Sequence, residues 1–188
     1  EGSEVMDYSN KDDDLTWDIG FVSLDGTTTM TGDGPFEYHL TALNHLKWAN
    51  TDVEVECGSG IVPYVYSKDV YVCGVQWSIG LEMALLAKDH MRCYLTTDHP
   101  NAGPFTRYPR VMKWLMSQKA RDEVFATMKN EDKVRDRSTL SNIDRELTLY
   151  EIAQMTRAGP AKTLGLGGKL GGLKVGMQAD IAVYPYNP

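Results

Sequence analysis

The sequence contains little cysteine, and this scarcity excludes two classes of site. Cys57, Cys73 and Cys93 are the only cysteines among 188 residues, and no two of them form a Cys-x-x-Cys pair. Zinc ribbons and many redox sites depend on that spacing. Three cysteines are also too few, and odd in number, for a disulfide framework. We therefore expect reduced thiols in a cytoplasmic protein.

The sequence also lacks a long apolar run. Its most apolar stretch, residues 70–87, is interrupted by Gln76, Ser78 and Glu82, whereas a membrane-spanning helix needs about 18 or more apolar residues in succession. The N-terminus has no basic region followed by an apolar one, as a secretory signal has, and it begins with Glu rather than Met. We expect no membrane partner and interpret the sequence as part of a longer chain.

Basic residues are outnumbered by acidic ones. Lys and Arg total 19 against 26 for Asp and Glu, which gives a formal net charge of −7. This charge argues against nucleic acid or an anionic membrane surface as a partner. Seven of the acidic residues lie among the first twenty residues, where Lys11 is the only basic residue. The remainder is nearly balanced, so no general acidic function follows.

Histidine is sparse, and its spacing predicts no complete metal site. The four histidines form neither a His-x-His pair nor a His-x-x-x-His pair, which would place two metal ligands side by side. We therefore expect surface or hydrogen-bonded imidazoles at His39, His45 and His90. His99 differs from these three because it lies in a proline-rich loop.

Two glycine-rich motifs lack the context of an active site. Residues 58–60 read Gly-Ser-Gly, whereas a nucleophile elbow has a glycine two residues to either side of its serine. The run 165–172 has no Ser or Thr after its lysine, and it follows a predicted helix rather than the strand that precedes a phosphate loop. We interpret it as a turn between a helix and a hairpin, with a final apolar strand over residues 180–184.

The middle of the sequence predicts a β/α unit. Residues 75–88 show the apolar spacing of a helix, and residues 91–97 are typical of a short buried strand. The prolines in the loop 99–109 exclude a helix there, because each removes an N–H donor and favours an extended preceding residue. Residues 110–128 then carry the pattern of one amphipathic helix. Turn-rich sequence before this unit predicts short strands, such as residues 19–24.

The C-terminal part contains clear helix-boundary signals. Thr148 and Glu151 have the spacing of a capping box, so we expect a helix that starts at Leu149 and ends near residues 158–159. Pro160 suits the first turn of a further short helix. The preceding charged run, residues 130–137, is typical of a solvated helix face or loop.

Asp98 is the residue with the strongest argument for a catalytic or metal-binding role. It directly follows the predicted strand 91–97, and the carboxyl ends of strands in parallel β/α folds face a shared cleft. A carboxylate there can bind a divalent cation and accept the proton of a water that attacks a carbonyl carbon. The alternative is that Asp98 caps its own loop by accepting the N–H groups of His99 or Asn101. The residues alone leave both interpretations open.

The sequence around Asp98 resembles a known family. Residues 96–110, TTDHPNAGPFTRYPR, look like the signature of the amidohydrolase-type subunit of formylmethanofuran dehydrogenase and of its counterpart in the bacterial formyltransferase/hydrolase complex. The tail from residue 156, TRAGPAKTLGL, is similar to the ending shared across the wider amidohydrolase superfamily. Further segments that resemble this subunit lie at residues 27–35, 58–64 and 76–82.

This resemblance implies an α/β fold with two parts. Residues 1–164 would be the C-terminal part of a metal-dependent-hydrolase (β/α)8-like barrel, and residues 165–188 would supply the closing strands of a small composite β domain. The resemblance also implies a pair of divalent metal ions, expected to be zinc. Most of their ligands would lie upstream of Glu1.

The resemblance assigns roles to four residues of this sequence. Asp98 matches the aspartate after the last barrel strand, which binds one metal ion and moves the proton during catalysis. It is therefore expected to be both catalytic and metal-binding. The matching loop contributes three expected substrate-binding residues, His99, Asn101 and Arg107.

For function, the resemblance implies hydrolysis or formation of the N-formyl C–N bond of a formylated furfurylamine-type C1 carrier, in the one-carbon metabolism of methanogenesis or methylotrophy. Other subunits of the complex are expected partners, and redox chemistry would belong to them, since no iron–sulfur ligand set is visible here. Two alternatives remain open. One is another amidohydrolase, dihydroorotase-like or deaminase-like, and the other is a metal-free amidohydrolase-like scaffold.

Overall fold

The computed structural model describes residues 2–31, 62–183 and 185. The predictions for His39, His45, Cys57 and residues 58–60 lie outside these residues. The described elements, in chain order, are helix α1 (Gly2–Ser9), strands β1 (Trp17–Gly20), β2 (Asp25–Thr31) and β3 (Val62–Ser67), helix α2 (Tyr71–Leu86), strand β4 (Cys93–Thr96), a 3-10 turn (Phe105–Arg107), helices α3 (Tyr108–Met116), α4 (Gln118–Phe125) and α5 (Glu131–Arg137), a second 3-10 turn (Leu140–Asn142), helix α6 (Leu149–Ala153), a π-helical turn (Gln154–Ala158) and helix α7 (Gly159–Thr163).

Two strand pairs form the sheets of the described region. β1 and β4 are parallel, with Trp17 opposite Cys93 and Gly20 opposite Thr96. β2 and β3 are antiparallel, with a register shift after Asp25. The mixed α/β class is therefore confirmed. Neither sheet closes a barrel within the residues that the structure describes.

Helix α2 forms the centre of the hydrophobic core. It covers most of the predicted helix 75–88 but begins earlier, at Tyr71. Its Trp77 is 1% exposed and packs edge-to-face against Trp114 of α3 and Phe125 of α4, with ring centroids 5.6 and 5.1 Å apart. Such aromatic pairs contribute roughly 0.5–1.5 kcal/mol beyond their buried area. Among the described helices, none is long and apolar enough to cross a membrane.

The predicted single helix over residues 110–128 is wrong, because two helices occupy this region. α3 ends at Met116 and α4 begins at Gln118. Between them, Ser117 has an extended backbone, with φ −147° and ψ 114°, and its Oγ accepts the N–H of Ala120 at 3.2 Å. The serine hydroxyl thus satisfies an N–H that the start of a helix would otherwise leave unpaired.

The prediction that the loop 99–109 contains no helix is wrong for its last residues. Residues 105–107 form a 3-10 turn, and α3 begins at Tyr108. Pro109 lies in the first turn of α3, where its missing N–H leaves no helical hydrogen bond unmade and its fixed φ suits the helix. The argument from proline therefore holds only for the residues before position 105.

The capping box at the start of α6 is confirmed. Thr148 Oγ1 accepts the N–H of Glu151 at 3.3 Å, and Glu151 Oε2 accepts the N–H of Thr148 at 2.8 Å. The helix begins at Leu149 as predicted, and the π-helical turn extends it to residue 158. α7 follows, with Pro160 in its first turn.

For the C-terminal tail, the predicted turns are confirmed and the predicted strand is wrong. The segment 165–176 is irregular, with four glycines in the left-handed region. Residues 180–183 form no strand. A strand requires a neighbouring edge that pairs its N–H and C=O groups, and the described strands pair only with one another. Ile181 and Val183 accordingly remain 64% and 88% exposed.

A buried carboxylate joins the N-terminal helix and the segment after α5 to α2. Glu82 is completely buried and accepts hydrogen bonds from the Ser3 N–H at 2.9 Å, Ser138 Oγ at 2.9 Å and Thr139 Oγ1 at 2.7 Å. Ser138 directly follows α5, which occupies nearly all of the charged run 130–137. Of the two predictions for this run, a helix face or a loop, the helix is the one observed. Three donors compensate for the removal of this carboxylate from water.

His90 is a buried, hydrogen-bonded imidazole, as predicted. It is 3% exposed, its Nε2 lies 3.0 Å from the Ala84 carbonyl, and its Nδ1 lies 3.6 Å from Glu151 Oε1. Burial lowers the pKa of His90 because it disfavours the charged ring. Burial alone would raise the pKa of Glu151, but hydrogen bonds from Thr148 and the charge of Arg145 hold it below its ordinary value.

This cluster makes the stability dependent on pH. A histidine whose pKa is lower in the folded than in the unfolded protein stabilises the fold above about pH 6.5, and this contribution is lost as the pH falls and the unfolded chain binds protons. We expect the free energy of unfolding to decrease from about pH 7.5 to about pH 5.5, and to decrease less in His90→Gln, which keeps a donor without titrating. Denaturant unfolding of both proteins at both pH values measures this. Equal decreases would contradict the role of His90.

Candidate active site at the carboxyl end of the parallel strands

Asp98 lies at the carboxyl end of the parallel strand pair. Thr97 separates Asp98 from β4, and Asp98 is exposed. The neighbouring strand β1 ends at Gly20, and a β-carbon built there would lie 3.8 Å from the Asp98 Cβ. The placement expected from the sequence is therefore what the structure shows, while the chemical role of Asp98 stays a prediction.

The backbone of Asp98 has an unusual conformation. Its φ of 47° lies in the left-handed region, which few residues other than glycine adopt, although aspartate tolerates it better than most. The turn is closed when the Asn101 N–H donates to the Asp98 carbonyl at 2.6 Å. Strained backbone of this kind is concentrated at functional sites, where the surrounding structure enforces it.

The Asp98 carboxylate is only partly used by the protein. Its Oδ2 accepts a hydrogen bond from Asn101 Nδ2 at 3.2 Å. Among the described residues, its Oδ1 has no partner. The structural alternative had the carboxylate accept backbone N–H groups of His99 or Asn101, but the Asn101 N–H binds the backbone carbonyl instead. One carboxylate oxygen thus remains open to a cation, a water or a substrate.

Tyr66 is a phenol on which the charge of Asp98 acts, and sequence reasoning missed it. Burial raises the pKa of this phenol, and the negative charge of Asp98 raises it further. Tyr66 is on β3, which pairs with β2, whereas Asp98 follows β4, which pairs with β1. No local pattern marks this residue, because its position depends on how one sheet lies against the other. It adds a neutral phenol to the surroundings of the carboxylate.

His99 is held by the backbone of its own loop. The N–H of Phe105 donates to His99 Nδ1 at 3.0 Å, and the two rings meet edge-to-face with centroids 5.1 Å apart. Both side chains are exposed, Phe105 by 62%. The proline-rich loop that the sequence marked as structured therefore fixes an aromatic pair next to Asp98. Phe105 was not among the residues expected from the sequence.

Arg107 is engaged in an ion pair. Its Nε donates to Asp25 Oδ2 at 2.7 Å, and Arg110 Nη1 donates to Oδ1 of the same carboxylate. Asp25 begins β2, so these contacts tie the end of the loop to the antiparallel sheet. Arg110 also lies over the Trp114 ring at 5.1 Å. Of the expected site residues, the structure thus joins Asp98 to Asn101 directly, whereas His99 and Arg107 bind other groups.

The loop packs closely on the segment after β1. The Ser23 N–H donates to the Ala102 carbonyl at 2.8 Å, and a β-carbon at Gly103 would lie 2.8 Å from Ser23 Cβ and 3.5 Å from Thr97 Cβ. Ser23 and Thr97 are completely buried, and their hydroxyls have no hydrogen-bond partner within the described residues. Only glycine allows this approach of the two segments.

The described residues do not hold a metal centre by themselves. They include no group of three or more His, Cys, Asp or Glu side chains that could bind one ion. Burial raises the pKa of Cys93 to about 12, so this thiol stays protonated and is a poor ligand. Asp98 supplies one accessible carboxylate oxygen, which fits a single position in the coordination of a divalent cation.

Comparison with known proteins identifies the class. All residues from 1 to 188 match the model described as the amidohydrolase family. The chain therefore belongs to the amidohydrolase family. This result confirms the relationship that the tail sequence indicated.

Two curated relatives narrow the comparison. The chain is 54% identical to "Protein FwdA" of Methanocaldococcus jannaschii over 185 residues, which cover 98% of this chain and 32% of that protein. It is 41% identical to the A subunit of the formyltransferase/hydrolase complex Fhc of Methylorubrum extorquens over 170 residues, which cover 90% of this chain and 30% of that protein. The resemblance to the amidohydrolase-type subunit is confirmed, and the chain spans about a third of the length of these relatives.

A solved structure shares the fold. The crystal structure of the formyltransferase/hydrolase complex (FhcABCD) from Methylorubrum extorquens with methylofuran matches 99% of this chain and 34% of the compared chain, with a TM-score of 0.80 and 38% identity. The arrangement of helices and strands described above therefore matches about a third of one chain of that complex.

The close approach at Gly103 predicts a specific sensitivity. Gly103→Ala should destabilise the protein by about 1–3 kcal/mol, because its new methyl group must displace Ser23. Gly20→Ala is a matched control at the same strand ends, since its β-carbon meets nothing nearer than 3.8 Å. Denaturant unfolding of both variants gives the comparison. Equal stabilities would show that the loop does not depend on this packing.

Proposed function

We propose that this chain is the C-terminal part of an amidohydrolase-type subunit that cleaves or forms the N-formyl C–N bond of a furfurylamine-type C1 carrier. Support comes from its membership of the amidohydrolase family, and from its similarity to FwdA and to the A subunit of the Fhc complex. The solved structure of that complex contains methylofuran. The observation that carries the proposal is the accessible Asp98 carboxylate at the carboxyl ends of β1 and β4.

Asp98 would be both a metal ligand and the proton carrier. Asp98 is exposed, its Oδ1 has no partner among the described residues, and carboxylate oxygens bind divalent cations such as zinc. When bound, a pair of such ions supplies Lewis acidity towards the formyl oxygen and makes water a better nucleophile. The described residues offer one ligand, so the remaining ligands would come from the rest of the full-length subunit. Redox chemistry would belong to other subunits.

In the hydrolytic direction, water adds to the formyl carbon, the C–N bond breaks, and formic acid and the free amine of the carrier result. Asp98 accepts a proton from the attacking water and donates it to the leaving nitrogen. Asn101 fixes the orientation of the carboxylate because its Nδ2 binds Oδ2. In the synthetic direction, the same steps run in reverse, and formic acid and the amine condense with loss of water.

The other loop residues would bind the substrate or shape its site. Asn101 acts through Asp98, and His99 faces the solvent at the same turn. Arg107 retains N–H groups that Asp25 does not use, and its ion pair keeps them at the start of α3. An arginine held in this way binds an anionic or carbonyl group with less loss of side-chain entropy than a free one.

Residues 1–164 would be the barrel part and residues 165–188 the closing segment of a small β domain. The tail supports this division because its apolar side chains are unburied. Leu173 is 87% exposed, and Val183 is 88% exposed. Such side chains favour a position against further apolar surface of the full-length subunit.

Replacement of Asp98 tests this mechanism in the full-length subunit. Asp98→Asn keeps the shape of the side chain but removes the base, so turnover of the C–N step should fall by roughly a hundredfold or more. Affinity for the formylated carrier should change much less, since the loss falls on the transition state. The assay is deformylation or formylation turnover, with metal content and melting temperature measured alongside.

Asp136→Asn provides the control for this experiment. Asp136 is an exposed carboxylate on α5 and belongs neither to the strand ends nor to the loop 99–109. This variant should retain wild-type turnover. Turnover near the wild-type level in Asp98→Asn would remove the catalytic role and leave Asp98 with a loop-closing function only.

A second test concerns metal binding by the 188-residue chain alone. After dialysis against zinc it should retain far less than one equivalent, because one carboxylate cannot satisfy a four-coordinate ion. The full-length subunit should retain its ions under the same conditions. Stoichiometric, tightly held zinc in the short chain would instead show that His39, His45, His90 or His99 forms a site within this chain.

A further inference from the structure

The hydrogen bond between His99 and Phe105 determines where the imidazole carries its proton. His99 Nδ1 accepts the Phe105 N–H at 3.0 Å, so Nδ1 uses its lone pair and bears no hydrogen. A neutral imidazole with an accepting Nδ1 carries its hydrogen on Nε2. The loop therefore presents the Nε2–H of His99 as a hydrogen-bond donor.

The ring also has a restricted orientation. The edge-to-face contact with the Phe105 ring, with centroids 5.1 Å apart, and the hydrogen bond from the Phe105 N–H both limit its rotation. His99 is nevertheless exposed, so a ligand can reach it. The ring is thus a donor that is oriented before any ligand binds, which is the arrangement that stabilises a developing negative charge most effectively.

His99 is adjacent to Asp98, and consecutive α-carbons are about 3.8 Å apart. Both side chains are exposed at the same turn, beyond the carboxyl ends of β1 and β4. A carbonyl group attacked by a water beside the Asp98 carboxylate therefore lies at the same turn as the residue that carries this donor. Among the other described side chains of this loop, Asn101 already donates to Asp98, and Arg107 is charged and donates to Asp25. His99 is the exposed, neutral side chain whose donor position is set by a hydrogen bond.

We propose that His99 donates its Nε2–H to the formyl oxygen of the substrate, and that the Phe105 N–H maintains the tautomer that makes this possible. The inference rests on the proposed function and specifies the ligand as a neutral formamide. Negative charge grows on the formyl oxygen when water adds to the carbon, so the hydrogen bond strengthens in the transition state. His99 is then a catalytic residue, Phe105 is a positioning residue, and His99 is not a metal ligand.

The test compares three substitutions of His99 in the full-length subunit within its complex. His99→Gln places an amide N–H near the position of Nε2, whereas His99→Asn places one near Nδ1. We expect His99→Ala and His99→Asn to lower kcat/KM by about a hundredfold, with His99→Gln recovering much of the activity. The effect should fall on kcat more than on KM, and metal content should stay at the wild-type level.

A second pair of variants separates the Phe105 backbone from its ring. Phe105→Ala keeps the N–H, while Phe105→Pro removes it. Proline suits this position because it begins a 3-10 turn and Pro104 before it is extended, with φ −68° and ψ 148°. We expect Phe105→Pro to lower kcat by about a further tenfold below Phe105→Ala, as expected for a donor that is less well oriented.

The outcomes distinguish this inference from the function on which it rests. A wild-type complex without deformylation or formylation activity would overturn both. An active wild type, with His99→Asn equal to His99→Gln or with His99→Ala close to the wild type, would overturn the role of His99 alone. Loss of metal from folded His99→Ala would also overturn it, since His99 would then be a ligand.

Discussion

The parallel pairing of β1 with β4 is the interaction on which the candidate site depends. It joins segments that are far apart in the sequence and places Gly20 opposite Thr96. The ladder continues past the strands, because the Phe21 N–H donates to the Thr96 carbonyl at 2.9 Å. Asp98 then emerges where this pairing stops. If the register slipped by one residue, the side chains of β4 would exchange faces and the turn would lose its position against β1.

The loop after Asp98 is rigid because several unrelated contacts hold it. The Ser23 N–H donates to the loop carbonyl of Ala102, and Asp25 accepts from Arg107 near the end of the loop. Within the loop, the Phe105 N–H donates to His99. A left-handed Asp98 costs of order 1–3 kcal/mol, which such contacts offset. On the proposed function, these groups are oriented before a ligand arrives, and part of the cost of catalysis is met during folding.

Local signals predicted from the sequence were mostly correct, whereas contacts between distant segments could not be predicted. The Thr148 capping box and the position of Asp98 depend on a few neighbouring residues, and both are as expected. The action of the Asp98 charge on Tyr66 and the ion pair of Asp25 with Arg107 depend on how distant segments lie together, which no spacing reveals. The break at Ser117 was missed because helical periodicity continues across it.

The exposed state of Asp98 connects metal binding to completion of the fold. In the described part of the chain, one carboxylate oxygen has no protein partner, and water can satisfy it while the turn is exposed. If other parts of a full-length subunit were to cover the turn, that oxygen would lose water, and a buried, incompletely paired carboxylate is strongly destabilising. A divalent cation removes this penalty. On the proposed function, metal binding and closure of the site would therefore stabilise each other, whereas a metal-free scaffold would need another donor facing Asp98.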